Sequence, residues 1–122
     1  MSGGGGGSDK VFDIGATSLL KDTRLAAFIN DQLTENLSDV PGIGPANAKL
    51  LEAAGIATPY QLLGQFLLLK ARGANSQVHL NAVVTWLAEA GVVSSRAVIA
   101  YAIAEKARVM MPGVFNPDEL NK

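Results

Sequence analysis

Two glycines spaced two apart, Gly42 and Gly44, stand in the run Val40-Pro41-Gly42-Ile43-Gly44-Pro45, just ahead of an alanine-rich stretch that includes Asn47, Lys49, Leu50 and Leu51. Glycine opens backbone angles closed to other residues and leaves no Cβ between the peptide groups and a ligand. Pro45 suits the first position of a helix, because the N–H it lacks would have no intrahelical partner there. The chemistry this spacing permits is anion capture. The N–H groups of Gly42, Gly44, Ala46 and Asn47 would face outward at a helix N-terminus, with Lys49 one turn on as a cation and Asn47 as a neutral donor. The partial positive charge of the helix end adds a few tenths to about 1 kcal/mol. Ile43, between the glycines, is expected to point inward and lock the loop. Carbonyls of such a loop can also hold a monovalent cation that bridges protein to phosphate; no other cofactor is implied. The competing reading is a tight helix–helix turn that touches nothing. A Walker loop is not a match, since it needs a longer glycine spacing followed by Lys and Ser or Thr.

Other chemistry is thin. His79 is the single histidine and has no acidic or cysteine partner at ligand spacing, so a solvated or capping role is expected. Asp118 and Glu119 fit a helix cap better than a catalytic carboxylate pair. The chain has no cysteine, which removes disulfides, thiolate zinc sites and thiol nucleophiles together. Tyr60, Phe66 and Trp86 are too few and too embedded in apolar runs for a base-stacking platform. No helix carries Arg, Asn and Gln on one face as a base-reading helix would, so phosphate contacts would fix the chain on a duplex without reading its sequence.

The elements that must position the hairpin follow from periodicity and caps. The 122 residues are 48% hydrophobic, enough for one core. Apolar positions Leu20, Leu25, Phe28, Ile29 and Leu33 predict a helix over 17–33, with Asp22 available as its cap. A short turn over 34–39 ends at Pro41. The hairpin helix runs to Gly55. Thr58-Pro59-Tyr60-Gln61 is a capping box, and the apolar helix it opens contains Gly64, which predicts close approach of another element. Asn75 or Ser76 caps a helix ending at Gly91, and Ser94 or Ser95 caps a last helix from Arg96 to Met111 that Pro112-Gly113 stops. Asn116-Pro117-Asp118-Glu119 reads as a further box opening one turn. No segment alternates at period two. The fold class is all-α, a bundle of about five helices around a helix-hairpin-helix motif. Residues 1–16 read as a flexible glycine-rich tail, 17–112 as the domain and 113–122 as a short extension.

The formal net charge is −1, which makes no general case for a polyanion. Its distribution is uneven. Lys49, Lys70 and Arg72 outweigh Asp39 and Glu52 over 39–72, and Arg96, Lys106 and Arg108 outweigh Glu105 over 94–111. The hairpin and the last helix are therefore where a polyanion would be tolerated. No apolar stretch reaches membrane-spanning length, so no membrane insertion is expected, and the absence of cysteine suits an intracellular setting.

With these residues in place, a resemblance becomes specific. Val40-Pro41-Gly42-Ile43-Gly44, Lys49-Leu50, Gly55, Tyr60 and above all Leu63-Gly64-Gln65-Phe66-Leu67-Leu68-Leu69-Lys70 resemble the barrier-to-autointegration factor family, as do Trp86-Leu87 and Ser95-Arg96. The resemblance spans roughly 21–111 and implies a SAM-like, non-enzymatic homodimer that binds double-stranded DNA without sequence preference and bridges or compacts it. It assigns the DNA contact to Gly42, Ile43, Gly44, Ala46, Asn47 and Lys49, to Ser18 and Lys21 of the first helix, and to Ser94, Ser95 and Arg96. It places the dimer interface at Leu63, Gly64, Phe66 and Leu67, and a protein partner in a groove across the dimer. The implied location is chromatin in a nucleus, or the nucleoid of a prokaryote. The chain departs from the family in its glycine tail, its lack of cysteine, its extension after Pro112, and Val93 and Ser94 where the family usually has a lysine. The alternative is an interaction or oligomerisation module of the same fold without DNA binding.

Overall fold

Helix boundaries in the computed structural model, which describes residues 10–17 and 22–121, follow the capping residues closely. Five α-helices run in the order α1 (Asp22–Asn30), α2 (Pro45–Ala53), α3 (Pro59–Leu68), α4 (Ser76–Glu89) and α5 (Arg96–Met110), with 3₁₀ turns at Ile14–Thr17, Leu37–Asp39 and Pro117–Glu119. Among the described residues there is no strand. The chain is an all-helical bundle.

Gly55 and Gly91 end α2 and α4 by the same device. Each sits in the left-handed region, at φ 92° and 95°, where a side chain would be strained. The N–H that follows each glycine reaches back across the helix end: Ile56 donates to the Leu51 carbonyl at 2.8 Å and Val92 to that of Leu87 at 3.0 Å. Leu51, Leu87 and Val92 are all fully buried, so each stop also turns the chain back onto the core. At the start of α3 the Thr58 hydroxyl accepts the Gln61 N–H at 3.2 Å, while the Gln61 side chain accepts the Ala57 N–H, one residue before the expected partner. Asn75 caps α4 by accepting from the Val78 N–H.

The core is centred on α5. Ile99, Ala100, Ile103, Ala104 and Ala107 are buried against Leu80, Val83, Val84 and Leu87 of α4, against Leu62 and Phe66 of α3, and against Leu51 of α2. Alanine on three turns of α5 lets the surrounding helices approach closely.

Four expectations need correction. Of the first predicted helix, 17–33, the described residues show α1 over Asp22–Asn30, with Thr17 ending a 3₁₀ turn that starts at Ile14. The helix stops at Asn30, where the Ile29 and Asp31 carbonyls accept from the amine of Lys106 on α5. Residues 10–16 are not a free tail: Phe12 is buried, its N–H donates to Asn81 at 2.8 Å, and its carbonyl accepts from Gln77 at 2.8 Å. The stretch after Pro112 is packed into the same core through Phe115 and Leu120, and Asn121 donates to the Gln77 side chain at 2.9 Å. Glu119 closes no local box; its carboxylate accepts the Ser76 N–H at the start of α4, 43 residues away in sequence. Phe12, Tyr101 and Phe115 form an aromatic row, with ring centroids 6.4 and 6.2 Å apart, that joins both chain ends to α5.

Candidate nucleic-acid interface

Two backbone segments meet at the hairpin. Gly42 lies at φ 92°, and a Cβ placed there would stand 2.8 Å from Ile99 Cγ1, 3.2 Å from Val98 Cγ1 and 3.3 Å from Ser95 Cβ. The glycine is needed because the start of α5 lies directly against it. Asn47 fastens the same junction. Its side-chain amide donates to the Gly42 carbonyl at 3.2 Å and to the Ser94 carbonyl at 3.4 Å. The residues predicted from the hairpin and those predicted from the start of the last helix therefore form one surface.

Gly44 differs from Gly42. Its backbone is extended, at φ −97° and ψ −173°, and a Cβ there would meet nothing within 4 Å. No contact among the described residues requires it. The N–H groups of Gly42, Gly44, Ala46 and Asn47 have no acceptor among the described residues, as expected for a loop entering α2 at its N-cap. The Val40, Gly42 and Gly44 carbonyls already accept from Ile43, Asn47 and Ala48, which leaves the Ile43 carbonyl as the one of these four without a donor.

On the α5 side, Ser95 is the N-cap at φ 65°, the single non-glycine residue among those described with a left-handed backbone, and its hydroxyl makes no cap bond. Holding serine there costs on the order of 1–2 kcal/mol, which the packing of Gly42 against its Cβ sustains. Arg96 is half-buried and donates from Nη1 to the Val92 carbonyl at 2.8 Å. Lys49, Ser94 and Ser95 are exposed.

Several predicted roles change on these facts. Ile43 is the exception: its side chain is buried, as expected from its place between the glycines, so only its main chain can face a ligand. The Asn47 side chain is a structural tie rather than a free donor, and the residue is 9% exposed. Ser18 and Lys21 lie outside the described residues. Lys106 adds nothing to a polyanion surface: it is buried, with its amine on the carbonyls of Ile29 in α1 and Asp31 just after it, and 5.8 Å from the Phe28 ring centroid. Burial lowers its pKa, while Asp31 raises it. Its place was readable from spacing, since Lys106 falls three residues after Ile103 and seven after Ile99, on the buried stripe.

Of the four interface residues on α3, Leu63 and Phe66 belong to the subunit core, Leu67 is half-buried, and Gly64 has open space beside it where close approach had been expected. Leu68, at 81% exposure, is the most exposed of the large apolar side chains of α3. His79 is neither solvated nor a cap. It is buried, its ring centroid 4.2 Å from that of Phe66 and Nε2 donating to the Phe66 carbonyl at 2.7 Å, while Nδ1 has no partner among the described residues. Burial is the largest influence and holds the imidazole below its ordinary pKa; the bond to Phe66 opposes this, and Lys70 adds to it.

The family model for the barrier to autointegration factor matches residues 20–91, well over half of the chain. The chain belongs to the barrier-to-autointegration factor family. That family is a DNA-binding, non-enzymatic one. The matched stretch holds the hairpin, α2, α3 and α4 and ends at Gly91, so the α5 half of the junction lies beyond it. No curated protein and no solved structure matches. Among the described residues no group of His, Asp and Glu could hold a metal ion, and no helix is long and apolar enough to cross a membrane. Val93, where the resemblance leads one to expect a lysine, is 83% exposed.

Proposed function

We propose that this barrier-to-autointegration factor family member binds double-stranded DNA without sequence preference through the Gly42–Lys49 hairpin and the adjoining start of α5, and that a homodimer bridges or compacts DNA. The observation that carries the reading is the contact of Gly42 with Ser95 and Ile99, which sets the uncommitted N–H groups of the hairpin beside the α5 N-terminus. A phosphate approaching Gly44 finds donors and no Cβ. The two-sided arrangement rests on a second subunit covering Leu67, Leu68 and the open side of Gly64 on α3. A monovalent cation at the Ile43 carbonyl would supplement the contact. The setting that suits this activity is chromatin, or a nucleoid in a prokaryote, with a protein partner in the groove across the dimer.

The cations at the junction set the salt dependence. Lys49 and Arg96 neutralise about two phosphates, and a slope of about −0.9 per phosphate gives a fall of log K with log salt of about −1.8 per site. The test is a mobility-shift titration with two duplexes of unrelated sequence at several salt concentrations. Equal affinities with a shallow slope are expected, together with loss of the complex in Gly44→Glu, Lys49→Ala. That variant replaces a glycine with free space and an exposed lysine, so folding is preserved. Unchanged binding by the variant would refute the hairpin reading. Exposed Val93, in place of the expected cation, favours the second reading, an interaction module that kept the fold and lost DNA. No complex at about 50 mM salt, where phosphate contacts are strongest, would select it.

A further inference from the structure

At the other end of α5 from the hairpin, the C-terminal segment, which lies beyond the family's matched region, closes a second site against Lys70 and Ser76. Arg108 lies twelve residues beyond Arg96 on α5, about 18 Å along the helix at about 1.5 Å per residue. There a wide, open cavity of about 570 Å³ lies between the end of α3, the start of α4 and the chain after Pro112. That volume is in the range of small-ligand sites and larger than a bare ion needs.

The groups around it are donors. Among the described residues Lys70 reaches the Ala74 carbonyl alone, at a long 3.5 Å. Arg108 meets Glu105 through Nε at 3.6 Å, and the same carboxylate accepts the Tyr101 hydroxyl at 2.7 Å, so the terminal guanidinium nitrogens have no partner among the described residues. Ser76 is buried at 2% exposure; its Oγ accepts the Asn116 N–H at 2.8 Å, while its own proton has no acceptor among the described residues. The Gly113 N–H is likewise uncommitted. Glu119 is the acidic group on the wall, and one of its oxygens already accepts the Ser76 N–H. Two cations, a buried hydroxyl proton and a free amide, drawn from four parts of the chain, match a ligand rich in acceptors and negative charge.

We propose that this cavity binds a phosphate group, with Lys70 and Arg108 neutralising it and Ser76 Oγ and the Gly113 N–H fixing its orientation. The proposal is independent of the DNA reading of the hairpin. Phosphate chemistry has two sources here, a free phosphorylated small molecule and the backbone of a nucleic acid, and both are tested on the full chain.

The experiment follows backbone amide resonances during titration with inorganic phosphate, and separately with a short duplex, at low salt. Phosphate should shift Ser76 and Gly113 saturably at millimolar concentration, with at least tenfold weaker binding in Lys70→Gln, Arg108→Gln. Glu119→Gln keeps an acceptor for the Ser76 N–H and removes the opposing charge, so it should bind phosphate several-fold more tightly than the parent chain. Movement of the same amides by the duplex, retained in Gly44→Glu, Lys49→Ala, would assign the site to nucleic acid; movement by phosphate alone would assign it to small phosphorylated ligands. Shifts that do not saturate, or that are equal in the Lys70→Gln, Arg108→Gln variant, would overturn the proposal.

Discussion

Replacing each hairpin glycine by alanine separates what the fold needs from what a ligand needs. At Gly42 the methyl group meets two obstacles. The backbone is at φ 92°, where an L side chain costs about 1–2 kcal/mol. The new Cβ also falls 2.8 Å from Ile99 Cγ1, so a fully buried isoleucine must move by roughly half an ångström, at about 1–3 kcal/mol for an overpacked core. The two together give about 2–5 kcal/mol, a large part of the total stability of a domain this size. At Gly44 neither obstacle exists: φ is −97° and the space is open. Alanine there should leave stability unchanged or raise it by about 0.4–1 kcal/mol through the unfolded chain. Urea denaturation of both variants measures the difference. Gly42→Ala should lower the midpoint by at least about 1 M, and Gly44→Ala should not lower it. In the duplex titration the stable Gly44→Ala should still bind more weakly, because its methyl group lies where the phosphate approaches. Equal midpoints for the two variants would refute the claim that Gly42 is held against α5. Full DNA affinity in Gly44→Ala would refute the claim that Gly44 is kept for a ligand.

His79 makes stability depend on pH. Its folded pKa lies below the ordinary 6.5, so the unfolded chain binds the extra proton, and stability from this group is complete above about pH 6.5 and lost as pH falls toward the folded value. Chemical denaturation across pH 7 to 5 should show a loss of up to about 1.4 kcal/mol per pH unit, and a flatter profile in His79→Leu. Phe115→Ala should cost about 3–5 kcal/mol, since the ring is buried against Tyr101. A thermal unfolding shift of under about 2 °C would mean that the C-terminal segment is not part of the cooperative unit.

Local rules were legible wherever the reason for a residue lies within one turn of it. Thr58-Pro59 opens α3, Pro45 opens α2, and Gly55 and Gly91 stop their helices, each by bonds within five residues. What escaped the sequence was settled by partners far along the chain. His79 reads as solvated until the Phe66 carbonyl and ring are set against it. Asn47 reads as a free donor until Ser94, 47 residues on, comes within reach. Lys106 reads as surface charge until α1 ends over it. The family-specific run Leu63 to Lys70 identified the fold, but its periodicity did not separate Phe66, which faces the subunit core, from Leu68, which does not. The hairpin was legible as an anion site because glycine spacing and helix entry are local. Its union with α5 was not, because that rests on a contact between Gly42 and Ile99.

Gln77 holds the two chain ends at once, its amide nitrogen on the Phe12 carbonyl and its oxygen on the Asn121 N–H. Positions 12 and 121 are therefore neighbours on one residue of α4, although they lie at opposite ends of the sequence. A linker of a few residues between them would close the polypeptide into a ring without disturbing the core, and new ends opened at the exposed Arg72-Gly73 turn would give a circular permutant with the same hairpin.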